Sequence, residues 1–249
     1  MLNSIRFKFI RGEEVKYISH LDLMKAFDRA LRRSHTPIAY SQGFNPHPQM
    51  VFGLPLSVGV TSEAEYADFE LSTAVEPGEF MERLNKQLPM GLKIVDAKCK
   101  TSKDNIMTAI TLASYELLIS AELKLEMDGY REKINGFMLQ PSIIAKKEGK
   151  QGIKDVNIRP MIHRLEVKAP EKVEAFKEIE TSESENMFCL SALLSAGNSV
   201  NLRPDLLGLS LNGTTDLGIK LVKIHRTGLF IDKGGKVADP LEPLALSGI

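Results

Sequence analysis

Apolar and polar positions change their period several times along the chain, and each change marks an element. Residues 4–10 read as a strand, whereas between residues 19 and 34 the period becomes helical, with Leu23, Phe27, Ala30 and Leu31 forming one stripe. Ser19 is placed to cap that helix, and Asp22 follows three residues later as in a capping box. Strands are predicted over residues 49–55 and 66–72. Pro77 then opens a helix that runs to residue 88, with Phe80, Met81, Leu84 and Leu88 on one face and Pro89-Met90-Gly91 ending it. Residues 92–100 supply a closing strand, and the order βαββαβ is that of a ferredoxin-like unit.

Beyond a short polar run at residues 100–105, Tyr115, Leu117, Ile119, Ala121, Leu123 and Leu125 alternate cleanly, which opens a new strand and a new unit. A helix over 128–139, a strand over 142–147, a glycine-containing turn at 148–152 and one long strand over 155–167 follow. Strand 187–196, helix 203–211 and strand 219–227 complete the theme. The pattern predicts an α+β protein of two ferredoxin-like units in tandem, residues 1–104 and 105–249, each an antiparallel sheet with helices on one face. Its second unit carries an acidic insertion near 171–185, read as a solvated surface segment. No residue-level repeat links the halves, so the duplication rests on element order.

Composition narrows the function classes. A chain of 249 residues with 43% hydrophobic content can bury two cores, in domains of roughly 100 to 125 residues each. Lys plus Arg and Asp plus Glu stand at 32 each, so attraction to nucleic acid has to come from a patch and not from net charge. The first residues carry Arg6, Lys8 and Arg11 among their apolar positions, unlike a signal peptide, and no eighteen-residue apolar run occurs. A soluble, cytoplasmic chain without membrane partners is expected. The two cysteines, Cys99 and Cys189, lie in strand-like contexts and are read as small buried hydrophobes. Ninety positions apart and without a Cys-x-x-Cys, they are unable to hold an iron–sulfur cluster of the radical SAM type.

The densest information lies between Tyr17 and Glu65. Lys25, Arg29, Arg32 and Arg33 fall at i, i+4, i+7 and i+8 of the first helix and align four cations on a face away from the apolar stripe. The next segment, Tyr40-Ser-Gln-Gly-Phe-Asn-Pro-His-Pro48, is bent by glycine and proline and offers the flat rings of Tyr40, Phe44 and His47 beside the amides of Gln42 and Asn45. Rings that stack bases, cations that neutralise phosphates and amides that read base edges are the parts used in single-stranded RNA recognition. A solvated helix face and a loop whose rings pack back on the core are the plain alternatives.

These residues also carry a resemblance. The run SHLDLMKAFDRALRRS (19–34), followed by PIAYSQGFNPHPQM (37–50) and GLPLSVGVTSEAEY (53–66), resembles the radical SAM-linked protein family, a bacterial domain encoded beside, or fused to, radical SAM proteins. Later blocks, KDVNIRPMI (154–162), NLRPD (201–205) and IHRTG (224–228), are similar to that family's further motifs. Asn157 stands where the family pattern has Asp, which removes a carboxylate from that position. The resemblance implies a radical SAM protein as partner.

Other candidates are weaker. Ser19, His20 and Asp22 have the residue types of a nucleophilic triad, but at a helix start they point to different sides, and capping explains Ser19 and Asp22 more simply. His20 at the helix N-terminus tends to stay neutral. With His47, and with Glu63 or Glu65, it forms a candidate acid–base set if these groups line one cleft; a solvent-facing strand edge is the alternative for the glutamates. Five histidines without ligand spacing give no metal motif, and no ATP or NAD loop is present, so no cofactor is expected. Arg159 and Arg203 each precede a proline, and with Arg226 they are candidate anion binders, Arg203 at a helix entrance.

The expectation is an RNA-binding or substrate-presenting accessory protein for a separately encoded radical SAM enzyme. Its rivals are a self-sufficient RNA-modifying or RNA-cleaving enzyme using His20 or His47, and a peptide-substrate carrier.

Overall fold

Ile5, Phe7 and Phe9 alternate with Arg6 and Lys8 along the first strand, and this two-residue period assigns one sheet face to an aromatic core and the other to charge. The computed structural model describes residues 3–149, 152–177 and 186–242. They form a mixed α+β structure whose strands pair mostly antiparallel. Contacts divide the chain into two units, Met1–Thr111 with Gly228–Ile249, and Leu112–Thr227. The break expected after residue 104 lies near the first crossing, and the chain crosses back after Thr227.

In the first unit the elements are β1 (Ser4–Arg11), α1 (His20–Arg33), β2 (Met50–Phe52), β3 (Thr61–Glu70), α2 (Pro77–Asn85), β4 (Leu92–Cys99) and the short α3 (Ile106–Ala109). The second holds β5 (Leu112–Ala121), α4 (Met127–Leu139), β6 (Ile144–Gly149), β7 (Gly152–Asn157), β8 (Ile162–Lys168), β9 (Met187–Ser195) and α5 (Pro204–Thr215). Strand β10 (Ile219–Lys233) starts in the second unit and ends in the first, where β11 (Lys236–Ala238) pairs with it.

Unit one has β1 between β3 and β4, with β2 on β3. Its core is aromatic: Phe7, Phe9, Phe27, Phe69 and Phe80 are buried, and Phe7 meets Phe69 edge-on at 4.7 Å between centroids. Helix α1 lays Leu23, Phe27, Ala30 and Leu31 onto this layer, as the spacing predicts. The opposite sheet face is not open water at Arg6, whose guanidinium is clasped by Asp68 and donates to the carbonyl of Pro240 at 3.2 Å. Tyr66 Oη donates to Asp239 Oδ2 at 2.6 Å on the same side. Burial first, and then the Asp239 carboxylate, push the Tyr66 phenol far above its ordinary value.

Unit two places β5 beside β9 and β9 beside β8, with β10 on the other side of β5. Here the expected single strand over 155–167 is corrected. Residues Arg159–Met161 form a 3-10 turn, so β7 pairs with β6 in a separate two-stranded sheet and only β8 joins the larger one. Pro160 has no N–H to give a ladder, and Asn157 Oδ1 accepts from the N–H groups of Ile143 (3.0 Å) and Arg159 (3.1 Å), closing the chain on itself. The strand expected to reach residue 125 stops at Ala121, where the Glu122 N–H turns to the carbonyl of Leu217 at 3.0 Å.

The acidic insertion is also corrected in its described part. Val173 and Phe176 are buried against Leu118 and Cys189, so that stretch is a cover for the sheet as well as a charged surface; residues 178–185 lie outside the described residues. Cys189 is buried, whereas Cys99, expected inside, is exposed on β4. Cys189 sits next to Glu116 and Glu171, and burial, aided by those charges, pushes its thiol up to about 12.

Candidate functional site

Arg11 prepares the entrance to α1. Its buried guanidinium donates from Nη2 to the carbonyls of Ile18 (3.1 Å) and Val15 (3.4 Å), fixing the turn that delivers the helix N-terminus. Ser19 Oγ accepts from the Asp22 N–H at 3.2 Å and donates to Asp22 Oδ2 at 2.7 Å. The Ser19 hydroxyl is thus a cap, and that hydrogen bond is the first reason the Asp22 carboxyl sits below its usual range. Lys25, Arg29, Arg32 and Arg33 are exposed on the solvent side. Lys25 reaches Asp22 at 3.4 Å and Arg32 reaches Asp28 at 3.0 Å, both open pairs of the kind that exchange readily with another anion. Arg33 instead donates to the Gln87 carbonyl at 2.6 Å and ties the end of α1 to the segment after α2.

The loop after the helix is a small, closed excursion. Tyr40 and Pro48 form an antiparallel bridge, the Ser41 N–H donates to the His47 carbonyl at 2.9 Å, and the His47 N–H donates to Ser41 Oγ at 3.0 Å. Gly43 adopts φ 128°, a conformation that favours glycine, and lets the apex turn. Above that closure Gln42, Phe44, Asn45 and His47 all face solvent. Phe44 is completely exposed at 106%, and Tyr40 is partly exposed at 39%. The alternative in which these rings are core is therefore excluded for Phe44.

His20 lies within electrostatic reach of Glu65; His47 is exposed on its loop. Glu65 is 5% exposed on β3, not on a solvent-facing edge as one reading of the sequence had it, while Glu63 is exposed. His20 is half-buried with its ring edge-on to Phe52 at 5.6 Å. Burial lowers its pKa, the Arg11 charge lowers it further, and Glu65 pulls the other way without winning. At neutral pH the imidazole is uncharged, able to accept or give one proton. Among the described residues no three His, Cys, Asp or Glu side chains gather into a metal site.

A family model described as an uncharacterized protein conserved in bacteria, DUF2344, matches residues 4–204. The chain belongs to that family. The matched DUF2344 region includes α1, the 40–48 loop, His20 and Glu65. No curated protein matches the chain. Among solved structures it is similar to the archaeal box H/ACA sRNP Nop10-Cbf5 complex, at 9% identity and TM-score 0.44 over 90% of this chain and 47% of that one. A Cbf5-Nop10-Gar1 complex is similar at 10% identity and TM-score 0.48, over 91% and 48% of the two chains. An H/ACA RNP bound to a substrate RNA containing 2'-deoxyuridine is similar at 11% and 0.44, over 89% and 47%. The chain spans about half the length of these matched chains.

The three candidate anion-binding arginines of the DUF2344 chain do different work. Arg159 donates from Nε to the Met138 carbonyl (2.9 Å) and from Nη1 to the Ile162 carbonyl (3.2 Å), bracing the exit of α4. Arg203 stands at the N-cap position of α5 without a side-chain cap and pairs with Asp205 at 2.8 Å in the open. Arg226 is 2% exposed and lies over the Tyr115 ring at 5.4 Å, donating to its hydroxyl. These three do not present one shared anion surface: Arg226 is interior and Arg159 is bound to backbone. Sequence reasoning missed Arg11, which sets the helix entrance and lowers the His20 pKa. The only signal was an arginine in the closing position of an aromatic strand.

Proposed function

We propose that this chain is an RNA-binding accessory protein that presents its RNA to a separately encoded radical SAM enzyme, in RNA modification. The observation that carries the reading is Phe44, a large ring held fully in solvent at the apex of a loop closed by Ser41 and His47. An exposed aromatic gains nothing for the core and offers a face on which a base stacks. Beside it in sequence, Lys25, Arg29 and Arg32 supply phosphate-facing charge, and Gln42, Asn45 and His47 supply groups for base edges. The radical SAM partner rests on the resemblance of residues 19–66, 154–162, 201–205 and 224–228. We read both units as ferredoxin-like. Supporting this, the strands run β4-β1-β3-β2 in the first unit and β10-β5-β9-β8 in the second, the same split order twice.

A second reading, a self-sufficient RNA-modifying enzyme, is favoured by one observation: burial and Arg11 hold the His20 pKa below its ordinary value, on a half-buried ring within electrostatic reach of Glu65. One experiment separates the two. Phe44→Ala is expected to weaken RNA binding by about 1 to 3 kcal/mol with an unchanged circular dichroism spectrum and melting temperature. His20→Gln and His47→Gln are expected to leave product formation dependent on the radical SAM partner. Turnover by the chain alone, lost on His20→Gln at unchanged RNA affinity, would favour the enzyme and overturn the accessory role.

A further inference from the structure

The segment after β11 is pinned across the charged face of the first unit's sheet. Tyr66 Oη donates to Asp239 Oδ2 at 2.6 Å, and Arg6 Nη1 donates to the Pro240 carbonyl at 3.2 Å. The Leu241 N–H donates to Asp239 Oδ1 at 2.8 Å and the Glu242 N–H to the Asp239 carbonyl at 2.9 Å, which closes a turn. Between this segment and the end of β4 lies a cavity of about 210 Å³ whose lining belongs wholly to the first unit. Because its wall is held by hydrogen bonds, little ordering remains to be done when a ligand enters.

The lining has two chemistries. Ile231, Ala238, Pro240 and Leu241 supply an apolar part, in which Ile231 and Ala238 are register partners. The other part is cationic. Arg6 and Lys98 are register partners of β1 and β4, so both belong to the face away from the aromatic core, and Lys100 and Lys233 join them at the cavity. Arg6 and Lys100 are matched by Asp68 and Asp104. Lys98 and Lys233 are exposed and have no ion pair among the described residues. Cations that share a concave space beside an apolar wall focus their field on it and draw an anion in.

Several features narrow the anion. Two lysine charges match a phosphate monoester, which carries about −1.5 to −2 at neutral pH and three acceptor oxygens. An apolar wall suits a flat ring, and Glu242, exposed at the rim, offers a carboxylate to a sugar hydroxyl. The volume is below the roughly 300 to 1,000 Å³ of sites for drug-sized ligands, which suits one ring with its phosphate and not a dinucleotide. We propose that this cavity binds a small organic phosphate of the nucleoside monophosphate class, with Lys98 and Lys233 on the phosphate and the ring against Ile231, Pro240 and Leu241. The site lies on the sheet face opposite α1 and does not depend on the RNA-binding reading.

Isothermal titration calorimetry of the four ribonucleoside monophosphates into the full chain, at fixed potassium chloride, tests this. Saturable binding of at least one of them is expected, and weaker binding of inorganic phosphate, which leaves the apolar wall uncovered. Lys98→Gln/Lys233→Gln is expected to weaken binding by at least about tenfold at an unchanged melting temperature, through loss of charge-assisted hydrogen bonds. Lys93→Gln/Lys103→Gln removes the same net charge from exposed positions outside the cavity and is expected to leave affinity unchanged. A 5′-phosphorylated oligonucleotide separates the sources of the phosphate. Weaker binding than the monophosphate is expected for a small metabolite, whereas tighter binding that the Lys98/Lys233 substitutions abolish assigns the same phosphate to the end of an RNA strand. No binding of any monophosphate at millimolar concentration overturns the site. So does affinity unchanged by Lys98→Gln/Lys233→Gln, an equal loss in both double variants, or inorganic phosphate binding as tightly as the nucleotides.

Discussion

Phe27→Ala is expected to cost about 3 to 5 kcal/mol of stability, the range for emptying a buried aromatic site. Phe27 is 0% exposed on α1, with Phe9 edge-on at 5.2 Å, Phe52 at 5.5 Å, Phe69 at 5.7 Å and Phe7 at 5.8 Å. With Leu23, Ala30 and Leu31 it seats the helix bearing Lys25, Arg29, Arg32 and Arg33, and its ring meets strands β1, β2 and β3. Those aromatic neighbours are themselves locked by one another, so they close the space poorly and the cavity term remains. Urea unfolding of the variant against the unsubstituted chain measures the loss. A change below about 1 kcal/mol would mean that α1 is not seated on the aromatic layer in the way described.

Asp68→Ala is the second large effect, also about 3 to 5 kcal/mol, because it leaves buried cations without their main counter-charge. Asp68 accepts from Arg6 Nε at 2.7 Å and Nη2 at 2.9 Å, and Lys100 Nζ approaches at 3.1 Å; the three side chains are 4%, 6% and 13% exposed. Burial works against the Arg6 charge, but Asp68 and then Asp104 outweigh it and hold its pKa above the ordinary value. Asp104 alone would remain. Its own pKa is lowered: burial opposes ionisation, but hydrogen bonds from Ser102 and Arg6 prevail. That depressed carboxyl contributes stability that is present above its ordinary pKa and is lost as pH falls through the lower folded value. The exposed pair Lys86–Glu82 is the control, and Glu82→Ala should stay within about 0.5 kcal/mol. Equal small losses for Asp68→Ala and Glu82→Ala would contradict the assignment of Asp68 as a buried hub.

The elements with strong periodicity and punctuation were legible in the sequence. Ser19 and the stripe Leu23, Phe27, Ala30 and Leu31 gave α1 almost to the residue, and Pro77 gave the start of α2. Residues 155–167 differ from the single strand that their pattern predicts because Pro160 removes a ladder bond and the chain turns at Arg159–Met161. The charges were less legible than the apolar positions. Arg6 and Asp68 occupy strand positions that alternation assigns to a polar face, yet both are buried, while Arg11 and Glu65 are charges on the alternation of the core face. What covers Arg6 and Tyr66 includes Pro240 and Asp239, more than 170 positions further on, and no local pattern at the N-terminus announces them. At the candidate site, the loop residues and α1 cations were found as types; the closure by Ser41 and the setting of His20 needed the third dimension.

Ultraviolet crosslinking of the chain in living cells, followed by sequencing of the attached RNA and identification of the copurified proteins, tests RNA presentation most directly. The expected result is a defined RNA attached through the peptide bearing Tyr40 and Phe44, with a radical SAM protein in the same sample. RNA at background level in that sample, or crosslinks that persist unchanged when Phe44 is replaced by Ala and Arg29 and Arg32 by Gln, would contradict it.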